Sequence, residues 1–468
     1  MRHGRQRGAA FLLAATLTWA AWARPAAQAT PEERPTPSRP AAVALALEPW
    51  LDGLVRPVAI ATLPEPSDRM LVVQLEGLVL DVRGRTVSAI PFLDLRDRVT
   101  MLRGEQGLFT VALEPLGRAI ARGRPRHVVA AFTERDTGDL VIAAYPVDEA
   151  EWVAAASGEI EVLRVPMPEP FHHGGQVRFG PDGFLYVSVG DGAPTVGDGA
   201  ATPPAPADAL PATPLATPND AALRGRLLRI DLLPTPDATP AYAIPVDNPF
   251  AGATSAAERP ESWALGFRNP WKFTFDPRSG ALLAVDVGAD RWEEINRVVP
   301  GGDHGWPARE GHACVRRTDG ALLDPGCPTA AHVAPWLVYG HPELDPDGGR
   351  AIVGGVVVRD PDLPDLRDRY LFGDFVSGRL WSADPDGRSR SLLLNVGPGL
   401  TAVDEGPAGE VLLVTLPGIV WRLVMDAGRW GAAPEDAATE RQGAAASVGA
   451  GASASSSARP YSSVSTRR

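Results

Sequence analysis

Short apolar segments that each follow a tight turn are the feature that most restricts the fold of this chain. Four such turns contain Asp68-Arg69, Pro181-Asp182-Gly183, Ser279-Gly280 and Ala408-Gly409. They precede β-rich runs at residues 70–75, 184–190, 281–288 and 410–416. Strands punctuated in this way indicate an all-β sandwich, barrel or propeller. A domain of roughly 380 residues is too large for a usual sandwich, whereas a repeated blade explains how one β domain reaches this size.

Both ends of the chain depart from this pattern. Residues 1–29 combine basic residues, the apolar run 9–21 and a small-residue cleavage site, which is typical of a signal peptide. The apolar run is too short to cross a bilayer, and no later segment is long and apolar enough. We therefore expect a secreted or periplasmic protein that has no transmembrane segment after the signal peptide is removed.

We expect the folded domain to occupy residues 45–426. Residues 30–44 begin with a run rich in Pro, Glu and Arg, which predicts a flexible leader. Residues 193–218 are rich in Pro, Ala and Thr and predict a long surface loop of low complexity. Residues 427–468 are dominated by Ala, Ser and Gly and predict a disordered tail.

Charge and cysteine content narrow the choice of partners and of compartment. The chain has 57 acidic and 45 basic residues and a net charge of -12, which argues against nucleic acid as a partner, because duplex binding needs a basic face. Its two cysteines, Cys314 and Cys327, lie in one segment and can close a short disulfide loop in an oxidising compartment. Two free thiols are the alternative, and a structural zinc site would need further ligands. We favour the disulfide.

Residues 261–307 carry the pattern that is most informative about function. Arg268 and Asn269 precede Pro270, and arginine offers a planar set of donors to an anionic ligand. A loop further along the segment holds carboxylates at Asp286, Asp290, Glu293 and Glu294. Carboxylates and backbone carbonyls on such a loop are the ligands that calcium prefers. A solvated acidic loop beside an Arg-Pro turn is the alternative interpretation.

A histidine pair marks a second candidate site. His172 and His173 precede Gly174 and Gly175, and the glycines allow a ligand to approach the backbone closely. Histidine titrates near neutral pH and can accept a proton in catalysis. A single loop histidine is more often incidental, but the pair beside two glycines at the start of a strand favours a site.

Together these segments resemble the glucose/sorbosone dehydrogenase family, the soluble sugar dehydrogenases that use pyrroloquinoline quinone (PQQ) and calcium. The resemblance covers roughly residues 45 to 424, and its motifs occur in family order. The matching pieces are Gly53-Leu54-Val55-Arg56-Pro57, Pro91-Phe92-Leu93-Asp94, Gly104-Glu105-Gln106-Gly107-Leu108, the His172 segment, Arg224-Gly225-Arg226-Leu227-Leu228-Arg229-Ile230-Asp231, Asp247-Asn248-Pro249-Phe250, Gly266-Phe267-Arg268-Asn269-Pro270-Trp271, Gly302-Asp303-His304-Gly305-Trp306-Pro307 and Tyr370-Leu371-Phe372-Gly373-Asp374. The resemblance implies a six-bladed β-propeller around a central channel.

The resemblance also implies roles for individual residues. His172 matches the general base that takes the proton from the anomeric hydroxyl of the sugar, with His173 as the neighbouring alternative. Asp191 matches the carboxylate that orients this base. Arg268 and Asn269 match residues that contact the quinone, and Glu105 falls where the family has Gln or Glu near the substrate pocket.

The same resemblance implies a calcium site. The backbone carbonyls of Gly288 and Ala289 match those that hold the cofactor-bound calcium, which acts as a Lewis acid on the quinone. Glu294 matches a carboxylate at the neighbouring calcium site. The implied cofactors are therefore PQQ and Ca²⁺.

One part of the family pattern is missing. Family dehydrogenases use a lysine and two arginines of the late blades to bind the three carboxylates of PQQ. Residues 375–379 contain one cation, Arg379, and residues 398–402 contain none. Each charge-assisted contact is worth about 1.5–3 kcal/mol, so their loss predicts weak PQQ binding. The residues that could replace the missing cations are Arg350, Arg359, Arg379 and His341.

Three functions follow from these observations. The first is an extracytoplasmic quinoprotein that oxidises an aldose at C1 to the lactone and passes electrons to an external acceptor. The second is a catalytically inactive, calcium-binding propeller that binds a glycan or a protein partner. The third is a calcium-dependent hydrolase of the lactonase type, since calcium, histidine and carboxylates can activate water.

Overall fold

Antiparallel strands provide nearly all regular structure in the computed structural model, which describes residues 44–63, 67–192, 221–233, 240–253, 259–315, 322–323 and 332–426. The described residues also contain one short helix, α1 (Leu116–Ala121), and 3-10 turns at Ala156–Gly158, Ala221–Leu223 and Pro364–Leu366. The predicted signal peptide, most of the leader, the loop at 193–218 and the tail lie outside the described residues, so these assignments stay predictions.

In chain order the strands are β1 (Leu45–Leu51), β2 (Pro57–Thr62), β3 (Arg69–Gln74), β4 (Leu78–Arg83), β5 (Thr86–Val87), β6 (Leu93–Asp94), β7 (Leu108–Leu113), β8 (His127–Thr133), β9 (Leu140–Asp148), β10 (Val153–Ala154), β11 (Ile160–Val165), β12 (Gly174–Phe179), β13 (Leu185–Val189), β14 (Arg226–Leu232), β15 (Tyr242–Ala243), β16 (Ser262–Leu265), β17 (Lys272–Phe275), β18 (Leu282–Asp286), β19 (Trp292–Arg297), β20 (Arg309–Glu310), β21 (Ala313–Val315), β22 (Leu322–Leu323), β23 (Leu337–Gly340), β24 (Ile352–Val357), β25 (Tyr370–Asp374), β26 (Arg379–Ala383), β27 (Arg390–Asn395), β28 (Leu400–Glu405), β29 (Val411–Thr415) and β30 (Ile419–Met425).

Six of the sheets are the blades of a β-propeller, as predicted. The first three blades contain β2–β6, β7–β11 and β12–β16. The last three contain β17–β19 with β23, β24–β27, and β28–β30 with β1. The first strand of each blade contacts the first strand of the next, and β28 contacts β2, so the six innermost strands form a closed ring. A separate small sheet, β20–β22, is inserted between the third and fourth strands of blade 4.

The two ends of the domain pair to close this ring. Strand β1 runs antiparallel to β30, from Leu45 opposite Met425 to Leu51 opposite Val420. The outermost strand of blade 6 is therefore supplied by the start of the domain. Strand β1 completes blade 6 with a fourth strand, which limits the exposed sheet edges.

The hydrophobic core consists of six clusters, one at each interface between neighbouring blades. Successive residues of a strand enter different clusters, because side chains alternate between the two faces of a sheet. For example, Leu227 packs between blades 3 and 4, whereas Leu228 packs between blades 2 and 3. Both faces of a blade are buried, which explains why the strands appear in the sequence as continuous apolar runs.

None of the helices in the described part of the chain is long and apolar enough to cross a membrane.

The pairing of β1 with β30 leads to a first prediction. Trp50 of β1 is 8% exposed and packs with Val420 and Leu412 at the interface between blades 6 and 1. Replacing a buried aromatic side chain by alanine typically costs about 3–5 kcal/mol, so Trp50→Ala should lower the free energy of unfolding by this amount. Chemical denaturation measures the change. Leu392→Ala, at a side chain that is 49% exposed on β27, is the control and should change stability little; equal effects would show that β1 does not hold the ring closed.

Candidate functional site

The candidate site lies at the end of the channel where the innermost strands begin. Hydrogen bonds join the starts of successive innermost strands at this end. The main-chain N–H of His172, before β12, donates to the Glu105 carboxylate, before β7, at 2.9 Å. The N–H of Gly174 donates to the side-chain oxygen of Asn269, before β17, at 3.1 Å. The structure therefore brings together segments that are far apart in the sequence.

His172 is held in one orientation by Asp191. Its Nδ1 lies 2.8 Å from Asp191 Oδ1, and its side chain is 2% exposed. No hydrogen-bond partner for Nε2 is present among the described residues. An ionised Asp191 makes Nδ1 the protonated nitrogen and leaves Nε2 with a free lone pair. The backbone of His172 has a φ of +56°, an unusual conformation for a residue with a Cβ, and such strain is concentrated at functional sites.

His173 has a different environment. The side chain is fully buried against Phe109, with ring centroids 5.6 Å apart. Neither of its ring nitrogens has a hydrogen-bond partner in the described residues. Burial lowers the pKa of His173 to about 4, so this imidazole is neutral near physiological pH. The geometry favours His172 over His173 as a base because only His172 is oriented by a carboxylate.

Glu105 and Asn269 connect the histidine to the arginine segment. The same Glu105 oxygen that accepts the N–H of His172 also accepts a bond from Asn269 Nδ2 at 3.3 Å. The side chain of Asn269 thus contacts Glu105 on one side and Gly174 on the other. These contacts fix the orientation of Asn269 at the entrance to the channel.

Arg268 is buried with part of its donor capacity unused. Its Nη1 donates to the carbonyl of Val287 at 2.9 Å, and its guanidinium lies 5.6 Å from the ring centre of Trp306. Its Nε is buried and has no partner in the described part of the chain. A buried donor without a partner is costly, so an anionic or carbonyl oxygen of a ligand would stabilise this side chain.

Asp286 holds the arginine segment in place. Its two carboxylate oxygens accept the main-chain N–H groups of Arg268 at 2.8 Å and Asn269 at 2.6 Å. Glu294 is the cross-strand partner of Asp286 in the pairing of β18 with β19, so the two side chains are direct neighbours on one face of the sheet. Burial and the neighbouring Glu294 raise the pKa of Asp286 well above its usual value.

Other carboxylates nearby are also shifted. Burial, with Glu310 and Glu293 adding to it, raises the pKa of Glu294 to about 7. Burial and then Glu310 raise the pKa of Asp290. Burial is the main cause of these raised pKa values, and the neighbouring carboxylates add a negative potential that a bound cation would neutralise.

The carbonyls predicted to bind calcium are available. In the described residues no donor contacts the carbonyl oxygen of Gly288 or of Ala289. Glu294 accepts hydrogen bonds from Asn296 at 3.2 Å and from the main chain of Gly311. No group of three or more His, Cys, Asp and Glu side chains that could hold a metal is found among the described residues. Available carbonyls beside a region of negative potential fit an oxygen-ligated cation bound mainly by the backbone.

Two residues of this site have no role in the sequence analysis. Trp306 donates its indole N–H to Asp191 Oδ2 at 2.7 Å, so Asp191 is held from both sides. Glu310 accepts main-chain hydrogen bonds from the loop that follows β18. Trp306 belongs to a matching motif, but its partner is 115 residues away, so no local pattern connects the two. Glu310 follows that motif and carried no separate signal.

The predicted disulfide is only partly within the described residues. Cys314 is buried on β21, whereas Cys327 lies outside them. The pairing stays a prediction.

The residues considered as replacements for the missing cations are already engaged. Arg379 donates to the carbonyl of Gly348, and Arg350 pairs with Glu343. Arg359 pairs with Asp276 and Asp368. His341 lies 2.9 Å from Glu293; burial alone would lower the pKa of His341, but this carboxylate outweighs it and raises the pKa. In the described residues each of these four side chains therefore already has a partner, and His341 Nδ1 is the one buried nitrogen among them without one.

Apolar residues occupy the region where the family has its late-blade cations. A cleft of about 530 Å³ is lined by Arg56, Phe375, Val376, Pro398, Leu416 and Pro417. These residues precede innermost strands or lie in turns at the same end of the blades as His172. The Arg56 guanidinium pairs with Glu76 at 2.8 Å. This side of the channel entrance is built for apolar contact rather than for anion binding.

Comparison with known proteins identifies the family. The family described as Glucose / Sorbosone dehydrogenase matches residues 54–418. The chain belongs to this family. The PQQ-bound aldose sugar dehydrogenase of Streptomyces coelicolor has the same fold, with a TM-score of 0.56 and 22% identity over 81% of this chain and 98% of that one.

Among the curated relatives, Quinoprotein glucose dehydrogenase B of Acinetobacter calcoaceticus is 31% identical over 151 residues, which are 30% of this chain and 27% of that protein. HIPL2 protein of Arabidopsis thaliana is 32% identical over 248 residues, which are 49% of this chain and 32% of that protein. Hedgehog-interacting protein of Mus musculus is 26% identical over 343 residues, which are 70% of this chain and 42% of that protein. This glucose/sorbosone dehydrogenase family member thus spans about a third of the length of the plant relative.

The loop between β18 and β19, with its available carbonyls, leads to a second prediction. Chelator treatment should lower the melting temperature of the protein, and calcium should restore it better than magnesium, because flexible carbonyl and carboxylate ligands suit calcium. A cation at 100 times its Kd adds about 2.7 kcal/mol of stability. Protons compete for Glu294, whose pKa is about 7, so the calcium effect should be larger at pH 8 than at pH 6. Differential scanning calorimetry checks both points, and melting curves indifferent to chelator and calcium would exclude the cation.

Proposed function

We propose that this protein is an exported, PQQ- and calcium-dependent oxidoreductase that oxidises an aldose sugar at C1 to the lactone. The observation that carries the proposal is His172, whose Nδ1 is held by Asp191 while Nε2 has no partner in the described residues. Buried Arg268, with an unused Nε–H, belongs to the segment that Asn269 links to the same histidine. An oriented base near an unpaired cationic donor suits removal of a proton and stabilisation of negative charge.

In this proposal the base acts on the anomeric hydroxyl. Nε2 of His172 accepts the hydroxyl proton as the hydrogen on C1 leaves with its electron pair. Asp191 stabilises the imidazolium that forms, and Trp306 keeps Asp191 in position through its 2.7 Å bond. The proton on Nε2 is released to solvent after the lactone leaves, which returns His172 to its starting state.

The chain supplies contacts for both cofactors. When bound, PQQ would accept two electrons from C1, and calcium would act as a Lewis acid at the quinone. The Nε of Arg268 and the side chain of Asn269 would bind the quinone side of the cofactor. The carbonyls of Gly288 and Ala289 would hold the calcium, and Glu294 would contribute negative charge nearby.

The affinity for PQQ is expected to be low. Arg379, Arg350, Arg359 and His341 are all engaged by other groups, and apolar residues line the facing side of the entrance. Among these groups Arg268 Nε and His341 Nδ1 are buried and have no partner in the described residues, but the imidazole of His341 is already paired with Glu293. The carboxylates of PQQ therefore find fewer charge-assisted contacts, each worth about 1.5–3 kcal/mol.

A second function is favoured by the same cleft. An exposed apolar surface beside an active-site-like entrance is typical of protein or ligand binding. Phe375 and Val376 are 37% and 48% exposed. The relatives named HIPL2 protein and Hedgehog-interacting protein support a propeller that retains calcium and binds a partner without turnover. Hydrolysis of a lactone in the absence of quinone would instead support the third, lactonase-type function.

The base leads to a third prediction. His172→Ala should lower the rate of dye reduction with calcium, PQQ and an aldose by about 10²–10⁴-fold, because general bases contribute rate factors of this size. PQQ affinity should change little. His173→Ala is the matched control and should reduce the rate much less, since His173 is buried and has no orienting partner. Equal losses in both variants, or none in either, would refute the assignment of the base.

The arginine leads to a fourth prediction. Arg268→Ala should abolish detectable PQQ binding in calorimetric titrations of the calcium-loaded protein, because it removes the unused buried donor that faces the anion. Arg422→Ala, which removes an arginine paired with Asp362 on an outer strand, should leave binding unchanged. If wild-type protein with calcium binds no PQQ even at millimolar concentration, the dehydrogenase function is abandoned in favour of the binding propeller.

A further inference from the structure

Glu310 makes an unusual set of contacts with the loop between β18 and β19. One carboxylate oxygen, Oε1, accepts four successive main-chain N–H groups. The donors and distances are Ala289 at 3.2 Å, Asp290 at 2.9 Å, Arg291 at 2.7 Å and Trp292 at 2.9 Å. Glu310 is 2% exposed. Successive main-chain N–H groups can all donate to one anionic oxygen only when their peptides have similar orientations.

This orientation determines where the carbonyls point. In a planar trans peptide the N–H and the preceding C=O point in opposite directions. Because the N–H groups of Ala289 and Asp290 point at Glu310, the carbonyls of Gly288 and Ala289 point away from it. The Glu310 carboxylate lies on one side of the loop, and the carbonyl oxygens of Gly288 and Ala289 therefore point to the other side.

The outward carbonyls are left available. The carbonyl of Arg291 accepts the N–H of His341 at 2.8 Å. Those of Gly288 and Ala289 accept no hydrogen bond from any described residue. Carbonyl oxygens that share a peptide orientation and lack donors are ligands for a hard cation. The carboxylate of Glu310 thus accepts the N–H groups of the loop, whereas the carbonyls of Gly288 and Ala289 have no donor in the described residues.

The residue after Glu310 supports the same loop region. The N–H of Gly311 donates to Glu294 Oε1. Gly311 has a φ of +60°, and a Cβ at this position would lie 2.8 Å from the Trp292 side chain. Glycine is therefore required for the β20–β21 turn to pack closely against the loop. Adjacent residues of the inserted sheet thus contact both parts of the proposed cation site.

We infer that Glu310 is a positioning residue that orients the backbone carbonyls of Gly288 and Ala289 for a divalent oxygen-ligated cation. The inference rests on the calcium site of the proposed function. Glu310 acts through its Oε1, which contacts the loop amides from the side of the peptides opposite to these two carbonyls. The inserted sheet β20–β22 then serves as a support that shapes the site.

Calcium titration of the full chain without PQQ tests the inference. Glu310→Gln keeps the size of the side chain but removes its charge, and residues that orient metal ligands typically contribute 10–100-fold in affinity. The Kd for calcium should therefore rise about tenfold or more. Glu134→Gln is the matched control, because buried Glu134 accepts the N–H groups of Asp136 and Thr137 at 3.0 Å each in blade 2. Its calcium affinity should equal that of the wild type.

Hydrogen exchange provides a second readout that needs no variant. In the wild type, calcium should slow exchange of the amides of residues 289–292 and leave those of Asp136 and Thr137 unchanged. Unchanged calcium affinity in Glu310→Gln, or exchange at 289–292 that ignores calcium, would overturn the inference while the oxidoreductase proposal stands. A wild-type protein that binds no calcium at millimolar concentration would overturn both.

Discussion

The buried carboxylate of Asp286 joins the two halves of the candidate site. It accepts the main-chain N–H groups that fix Arg268 and Asn269, and it sits opposite Glu294 in the pairing of β18 with β19. Hydrogen bonds to a charged group are worth about 1.5–3 kcal/mol each, but burial and Glu294 favour the neutral acid. A cation near this pair would restore the charge. Binding of such a cation would therefore be thermodynamically linked to the placement of Arg268.

The sequence was sufficient to predict the propeller only with the help of family motifs. Turns such as Pro181-Asp182-Gly183 correctly predict individual strands, because turn chemistry is local. Blade count is not local: it depends on which face of each strand packs against which neighbour, and both faces of a blade are apolar. The pairing of β1 with β30 and the inserted sheet β20–β22 likewise depend on contacts between residues far apart in the chain, so no local pattern encodes them.

The site was predictable to the extent that its residues lie in short motifs. The fold brings His172, Asp191 and Arg268 together, whereas Trp306 and Glu310 act through partners that no spacing rule connects. The missing late-blade cations were visible in the sequence, because residues 375–379 contain one cation, Arg379, and residues 398–402 contain none. What replaces them, a cleft with Phe375 and Pro398 in its wall, required the structure. Composition shows that a charge is lost, but only packing shows what surface results.

The pairing of β1 with β30 has a consequence for how the protein is made. The last blade lacks its outermost strand until Leu45 meets Met425, a contact between opposite ends of the domain. Such non-local contacts form late, because loop-closure entropy must be overcome first. A ribosome releases the final strand only at the end of synthesis, so the nascent chain carries an unfinished blade until then. For the export that we propose, this delay would be an advantage, since a chain must remain unfolded to pass through a narrow translocation pore.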